Sequence, residues 1–146
     1  MEENVRDFVK SKSFAVIGVS RDPKKFGNAI YRELKKRGYQ VYGVNPSIQE
    51  MDGERCYPNV SALKGRIDAA VVCLKPENVE AVLREATDAG VRRVWLQQGA
   101  ESRSAFETGR NLGLNVVGGK CILMYAEPVQ SFHAFHRFFV RLFGRY

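Results

Sequence analysis

Short, continuously apolar segments alternate with amphipathic ones along this chain, and this alternation restricts the fold more than any other feature. The apolar segments lie at residues 13–19, 39–44, 67–74, 91–97 and 114–117. Strands that are apolar throughout are buried on both faces, as in a parallel sheet covered by helices. The pattern therefore predicts an α/β protein with a three-layer, doubly wound, Rossmann-like parallel sheet of about five strands and a C-terminal helix.

The length of the chain is that of one domain. Its 146 residues contain no linker or low-complexity segment, so we expect a single domain over residues 1–146. Residues 131–146 are predicted to form a terminal aromatic and basic helix with one apolar stripe. Because this helix is short and follows the last strand closely, we expect it to contact its own domain, a second copy or a partner protein rather than a membrane.

The net charge of +7 favours anionic ligands such as phosphates, nucleic acid or acidic lipid, or else describes a solvated basic surface. No RNA-binding signature is present, so nucleic acid is not expected as a partner. No apolar run approaches the roughly 20 residues of a membrane span, so membrane insertion is not expected either. The acidic N-terminus is not a secretory signal, and three cysteines without metal or redox spacing predict a cytoplasmic location.

A basic loop containing glycines follows the first predicted strand. It covers residues 18–28 and carries Arg21, Lys24 and Lys25. In doubly wound folds, ligands bind at the carboxyl ends of the strands, where the next helix presents free N–H groups to an anion. The loop therefore predicts phosphate binding, with chain geometry as the alternative reason for its glycines.

The same loop lacks the dinucleotide fingerprint. Ser20 stands where the second glycine is expected, and the second strand ends in Asn45 and Pro46 instead of an acid that would accept from ribose hydroxyls. NAD binding is therefore not expected, and an NAD(P)-dependent oxidoreductase is kept only as an alternative.

Several short segments, in this order and spacing, resemble the small stand-alone CoA-binding proteins. Those proteins are similar to the CoA-binding domain of the succinyl-CoA synthetase α subunit. The segments are residues 18–23 (GVSRDP), 38–41 (GYQV), 43–46 (GVNP), 68–72 (DAAVV), 94–100 (VWLQQGA) and 115–122 (NVVGGKCI). The resemblance covers nearly the whole chain and implies that coenzyme A lies across the carboxyl ends of the strands.

The resemblance also implies which residues contact coenzyme A or an acyl-CoA. The first loop would hold phosphates, the end of the second strand would line the nucleotide, and the end of the third strand would flank the adenine or ribose. The predicted ligand-binding residues are Gly18, Val19, Ser20, Arg21, Pro23, Lys24, Lys25, Asn28, Val44, Asn45, Pro46, Leu74, Lys75, Val79, Gln97, Gly99 and Cys121. Among these, Gln97 and Gly99 end the fourth strand and are candidates for bonding the pantetheine amides, or for satisfying a loop.

Cys121 follows the fifth strand, where its thiol could form a mixed disulfide with coenzyme A and Lys120 could favour the thiolate. The alternative for Cys121 is a small buried residue, and Cys73 is expected in the core. His133 and His136 could share a helix face, but no third ligand accompanies them, so no metal site is predicted.

No catalytic residue is predicted, because no nucleophile–base pair, paired carboxylates or P-loop lysine can be assembled from the sequence. The larger CoA ligases use a phosphorylated histidine outside the domain that this chain resembles. We therefore expect a non-catalytic CoA-binding module with a carrier, sensor or regulatory role. A subunit of an acyl-CoA ligase and a basic protein that binds nucleic acid or a membrane surface are the alternatives.

Overall fold

The computed structural model describes residues 2–22 and 24–127. Within them lie four α-helices: α1 (Glu3–Phe8), α2 (Phe26–Lys36), α3 (Val79–Asp88) and α4 (Arg103–Asn111). The strands are β1 (Ser13–Ile17), β2 (Gln40–Val44), β3 (Glu50–Met51), β4 (Glu54–Tyr57), β5 (Ala69–Val72), β6 (Arg93–Leu96) and β7 (Asn115–Gly118). Single 3₁₀ turns occupy Val60–Leu63, Pro76–Asn78 and Ile122–Met124. The predicted terminal helix, the two histidines and Pro23 lie outside the described residues.

All seven strands form one sheet in the order β3-β4-β2-β1-β5-β6-β7, and only the β3–β4 pair is antiparallel. The chain leaves β1 toward β2 on one side and later returns to β5 on the other side. This reversal of direction beside β1 is the topological switch point at which doubly wound sheets bind ligands. The predicted α/β class and doubly wound order are confirmed.

Helices cover both faces of the sheet, which gives the predicted three layers. Alternate residues of β1 enter different cores: Phe14 and Val16 pack with α1 and α2, whereas Ala15 and Ile17 pack with α3 and the 3₁₀ turn Val60–Leu63. Every residue of β1 and of β5 is buried. This burial on both faces explains why these strands are apolar without alternation.

The prediction of about five strands was too low, because β3 and β4 are two further strands that no apolar segment marks. They pair through a two-residue turn at Asp52 and Gly53. Both turn residues have positive φ angles, +54° and +80°, as this type of hairpin requires. An Asp-Gly pair is the usual signal for such a turn, although each flanking strand is too short to show an apolar pattern.

The chain after β7 is held against α2 and β2. The buried Arg37 guanidinium donates from Nη1 to the carbonyl oxygens of Leu123 and Ala126, at 3.1 and 2.9 Å, and the Tyr39 hydroxyl donates to the carbonyl of Glu127 at 2.5 Å. Burial lowers the pKa of Arg37 to about 10, which leaves the side chain charged at neutral pH. These bonds hold residues 123–127, the segment that follows Cys121, in a fixed position.

Candidate ligand-binding site

Two glycines bring the start of α2 onto the carboxyl edge of the sheet. Gly18 follows β1 with a φ of +117°, and a Cβ added there would lie 2.3 Å from the carbonyl oxygen of Cys73. A Cβ on Gly27 would lie 2.5 Å from the carbonyl oxygen of Gly18. Side chains do not fit at these distances, so both glycines are required by close packing of loop, strand and helix. Chain geometry therefore explains both glycines. The same close packing positions the N-terminus of α2 where an anion would bind.

The loop between these glycines is held by the buried Asn28 side chain. Its Oδ1 accepts from the backbone N–H of Ser20 at 2.8 Å, and its Nδ2 donates to the carbonyl oxygens of Ser20 and Asp22 at 2.9 and 3.1 Å. The Ser20 hydroxyl accepts from the N–H of Asp22, and the Asp22 carboxylate accepts from the N–H of Lys24. Asn28 and Ser20 thus shape the loop, and their predicted direct contact with a ligand stays a prediction.

Asn45 ties the loop after β2 to the loop after β1. Its Nδ2 donates to the carbonyl of Val19 at 2.7 Å, and its Oδ1 accepts from the N–H of Ser47 at 2.7 Å. Arg21 crosses the same gap, because its Nη2 donates to the Ser47 carbonyl at 2.7 Å. Val19 is fully buried, and its side chain lies in the core. Its carbonyl is the part of the residue that joins the two loops.

Two cavities flank Gly18 and Leu74 at this edge. The β2-side cavity, of about 260 Å³, is mainly apolar and is lined by Val44, Pro46, Pro58, Val60, Val82 and Glu85. The β6-side cavity, of about 270 Å³, is lined by Lys25, Phe26, Cys73, Lys75, Gln97 and Gly99. The structure thus brings together predicted residues from four separate segments of the chain.

The cations of the first loop and Lys75 form no ion pair in the described chain. Among residues 2–22 and 24–127, no carboxylate lies within 4 Å of the side-chain nitrogens of Arg21, Lys24, Lys25 or Lys75. No side chain caps the first turn of α2, which contains no acidic residue. These cations therefore have no direct ion-pair partner in the part of the protein that the structure describes, although the Glu85 carboxylate lines the β2-side cavity and Asp22 lies in the same loop.

Helix α3 meets the β2-side cavity through residues that the sequence did not single out. Val79 is fully buried in the core, which argues against its predicted contact with a ligand. Val82 and Glu85, one and two turns further along, line the cavity instead. The Glu85 carboxylate accepts from the backbone N–H of Val60 at 2.5 Å and so fixes the opposite wall.

Beneath the β6-side cavity, the Gln97 side chain is buried to 2% exposure. Its Oε1 accepts from the N–H of Ile122 at 3.1 Å, and no oxygen or nitrogen within the described chain accepts from its Nε2. The Gln97 amide also faces the Cys121 thiol and opposes the rise in that thiol's pKa, so the sulfur can accept from it. Gln97 therefore joins the end of β6 to the segment at Cys121 and Ile122, and its predicted contact with a ligand stays a prediction.

Two thiols lie near this cavity. Cys121 is buried at 4% exposure, as its alternative interpretation expected, and burial raises its pKa, while Lys120 pairs with Glu2 at 3.5 Å. Cys73 packs against the core as expected, but β5 ends at Val72, so Cys73 lies just past the strand and also lines the cavity. Burial also raises the pKa of Cys73, to about 12.

Other lining residues escaped the sequence analysis for local reasons. Pro58 follows β4, a strand that was not predicted, and Phe26 is the first residue of α2. Phe26 is 40% exposed, an unusual position for a large apolar side chain, and its place directly after Lys24 and Lys25 was the available signal. Within the described ranges, no cluster of three metal-ligating side chains occurs, and no helix is long and apolar enough to span a bilayer.

The fold and the position of the cavities define a nucleotide-binding domain of the doubly wound type. Residues 12–127 match the family model described as CoA binding domain. The chain belongs to this family of CoA-binding domains.

Relatives fall into two groups by length. The chain is 29% identical over 126 residues to an ADP-forming acetate–CoA ligase II α subunit from Pyrococcus furiosus, with 79% of this chain but only 28% of that protein covered. It is 27% identical to the uncharacterized protein YneT of Bacillus subtilis, covering 77% of this chain and 84% of that one. A conserved hypothetical protein from Pyrococcus furiosus has a similar structure, with a TM-score of 0.73, 34% identity, and coverage of 76% and 96%.

Proposed function

We propose that this protein binds coenzyme A or an acyl-CoA as a non-catalytic module with a carrier, sensor or regulatory role. The observation that carries the proposal is the pair of cavities on either side of Gly18, with cations between and around them that form no ion pair in the described chain. Coenzyme A has matching parts: an apolar adenine, a charged diphosphate and a polar pantetheine arm. Membership in the family supports the same ligand.

The two cavities suggest how such a ligand would lie. The β2-side cavity, mainly apolar, suits the adenine between Pro46 and Val82. The N-terminus of α2 with Lys25 suits the diphosphate beside Gly18, because helix N-termini and cations both favour phosphate. The pantetheine arm would then enter the β6-side cavity, which Gln97 and Gly99 line.

Isothermal calorimetry with coenzyme A and NAD tests the proposal. We expect coenzyme A to bind and NAD to bind much more weakly, because Asn45 uses both ends of its side chain to join two loops and offers no carboxylate to a ribose. Equal affinity for the two nucleotides would overturn the proposal. Native mass spectrometry of the freshly purified protein, read for a mass of coenzyme A or an acyl-CoA, identifies the form bound in the cell.

The similarity to a ligase subunit supports a second candidate, in which the chain serves as the CoA-binding part of an acyl-CoA ligase. This candidate predicts ATP formation from acetyl-CoA, ADP and phosphate only when further subunits are added. If the chain is a non-catalytic module, no ATP should form either with or without the further subunits. The three free thiols suit a reducing compartment, and a cytoplasmic location is part of the proposal.

A further inference from the structure

We propose that Arg21 binds the phosphomonoester on the ribose of the ligand and thereby selects coenzyme A over dephospho-CoA. This inference rests on the proposed function, and it assigns to one residue the discrimination between two ligands that differ by a single phosphate. The remaining cations of the loop are then left for the diphosphate.

The first argument is the direction of the Arg21 side chain. Its Nη2 donates to the carbonyl oxygen of Ser47 at 2.7 Å, so the guanidinium lies over the loop that follows β2. Lys25, by contrast, lines the β6-side cavity on the other side of Gly18. Arg21 and Lys25 therefore lie on opposite sides of Gly18.

The second argument is that the anchor of Arg21 is itself held in place. Ser47 donates its N–H to Oδ1 of Asn45, and Nδ2 of Asn45 donates to the carbonyl of Val19, both at 2.7 Å. A guanidinium carries five N–H donors, so one bond to Ser47 leaves the others for a phosphate. Holding the fork in place before binding reduces the side-chain entropy that binding would cost.

The third argument is the position of this guanidinium in the fold. In doubly wound nucleotide-binding domains, the residue at the end of the second strand contacts the ribose: an acid accepts from its hydroxyls, and an arginine nearby accommodates a ribose phosphate. Here Asn45 occupies that end without a negative charge. Within residues 2–22 and 24–127, no carboxylate lies within 4 Å of the Arg21 guanidinium nitrogens. The region beside the β2-side cavity thus presents a positive charge where a ribose phosphate would lie.

The experiment measures the affinity of the full chain for coenzyme A and for dephospho-CoA by calorimetry, in the wild type, Arg21→Gln and Arg21→Lys. We expect the wild type to prefer coenzyme A, and Arg21→Gln to weaken coenzyme A by about tenfold while dephospho-CoA binds as before. Arg21→Lys, which keeps the charge but not the fork, should retain part of the preference. Arg92→Gln is the matched control, because Arg92 is also exposed but precedes β6 at the opposite edge of the sheet.

The outcomes separate the inference from the proposed function. If Arg21→Gln weakens both ligands equally, Arg21 only supports the loop, and the inference is overturned. The same holds if the wild type binds both ligands equally, or if the preference survives in Arg21→Gln. If the wild type binds neither ligand, the proposed function itself fails, and the inference fails with it.

Discussion

The two edges of the sheet use their polar residues differently. At the amino edge, the Asp7 carboxylate accepts from Arg93 at 3.1 Å and from Asn115 at 2.8 Å, and Arg93 also donates to the hydroxyl of Ser11. At the carboxyl edge, Arg21, Lys24, Lys25 and Lys75 have no carboxylate partner among the residues that the structure describes. The cluster around Asp7 is internally paired, whereas these carboxyl-edge cations lie beside cavities that a ligand could occupy; exposed Lys12 and Arg92 at the amino edge also form no ion pair in the described chain.

The comparison extends from charge to backbone geometry. At the carboxyl edge, side-chain amides and hydroxyls are used to hold loops in shape, as Asn28 and Asn45 do. At the amino edge, α1 is joined directly to the starts of β6 and β7 through Asp7. Substitutions at the amino edge should therefore affect stability, and those of the open cations should affect binding.

The largest effect is expected at Gly18. Gly18→Ala adds a Cβ 2.3 Å from the Cys73 carbonyl at a φ of +117°, so both steric overlap and backbone strain oppose folding. We expect a loss of about 3 kcal/mol or more in the free energy of unfolding, measured by urea denaturation. Gly65→Ala is the matched control: its φ is also positive, +81°, but nothing lies within 4 Å of the added Cβ, so a loss of only about 1 kcal/mol is expected. Similar losses in both variants would contradict the close packing described here.

The next effect is on binding and concerns the open cations. Replacing Lys24 and Lys25 together with alanine should weaken coenzyme A by about 10- to 100-fold, because each exposed contact to phosphate contributes about 1 kcal/mol or somewhat more. The melting temperature should not change, since neither lysine has an ion-pair partner in the described chain. The double control Lys12→Ala with Lys64→Ala removes the same charge from exposed positions away from the cavities. An unchanged affinity in the Lys24/Lys25 variant would place the phosphates elsewhere.

Much of this comparison could be predicted from sequence, because it depends on local patterns. The five apolar strands and the basic loop after the first of them were predicted and are found in the structure. The family was recognised from the order of short segments, and the family match confirms it. The apolar pattern was sufficient for the three layers and placed the ends of these five strands to within about two residues.

The errors arose where a shift of one or two residues changes the neighbours of a side chain. The 3₁₀ turn Pro76–Asn78 precedes α3, so Val79 faces the core and Val82 the cavity. Strand β5 ends two residues earlier than the apolar segment, so Cys73 packs against the core and also lines the cavity. The ligand contacts of Asn28 and Asn45 stay predictions, but their loop-holding bonds connect residues 8 and 26 positions apart, which no local pattern reveals.

The amino edge should show its role as a small, pH-dependent stabilisation. Bonds from Asn115 and Arg93 lower the pKa of Asp7 below its ordinary value of 3.8. Asp7 therefore stabilises the fold above about that pH, and the contribution is lost as the pH falls through the lowered folded-state value. Because both partners of the ion pair are partly exposed, we expect Asp7→Asn to cost only about 0.5–1 kcal/mol near neutral pH.

Urea unfolding of the wild type and Asp7→Asn across pH checks this contribution. The difference between the two proteins should be constant from about pH 7 to 5 and should shrink below about pH 4. Coenzyme A affinity should be the same in both, since Asp7 lies at the edge opposite the cavities. If Asp7→Asn had normal stability and impaired binding, it would contradict the expectation that the amino edge affects stability and the carboxyl edge affects binding.

The smallest effect is expected from the thiols. The cysteine that reacts with a bound ligand shows how far that ligand reaches into the carboxyl edge of the sheet. Incubation with CoA disulfide should transfer one CoA to Cys73, whose thiolate displaces CoA thiolate from the disulfide, because Cys73 lines the β6-side cavity while Cys121 is buried beneath it. With a pKa of about 12, Cys73 is almost entirely protonated at pH 7.5, so the adduct should form slowly and faster at higher pH. Mass spectrometry should find it in the wild type and in Cys121→Ser but not in Cys73→Ser. An adduct that persists in Cys73→Ser and is lost in Cys121→Ser would restore Cys121 as the thiol nearest the ligand.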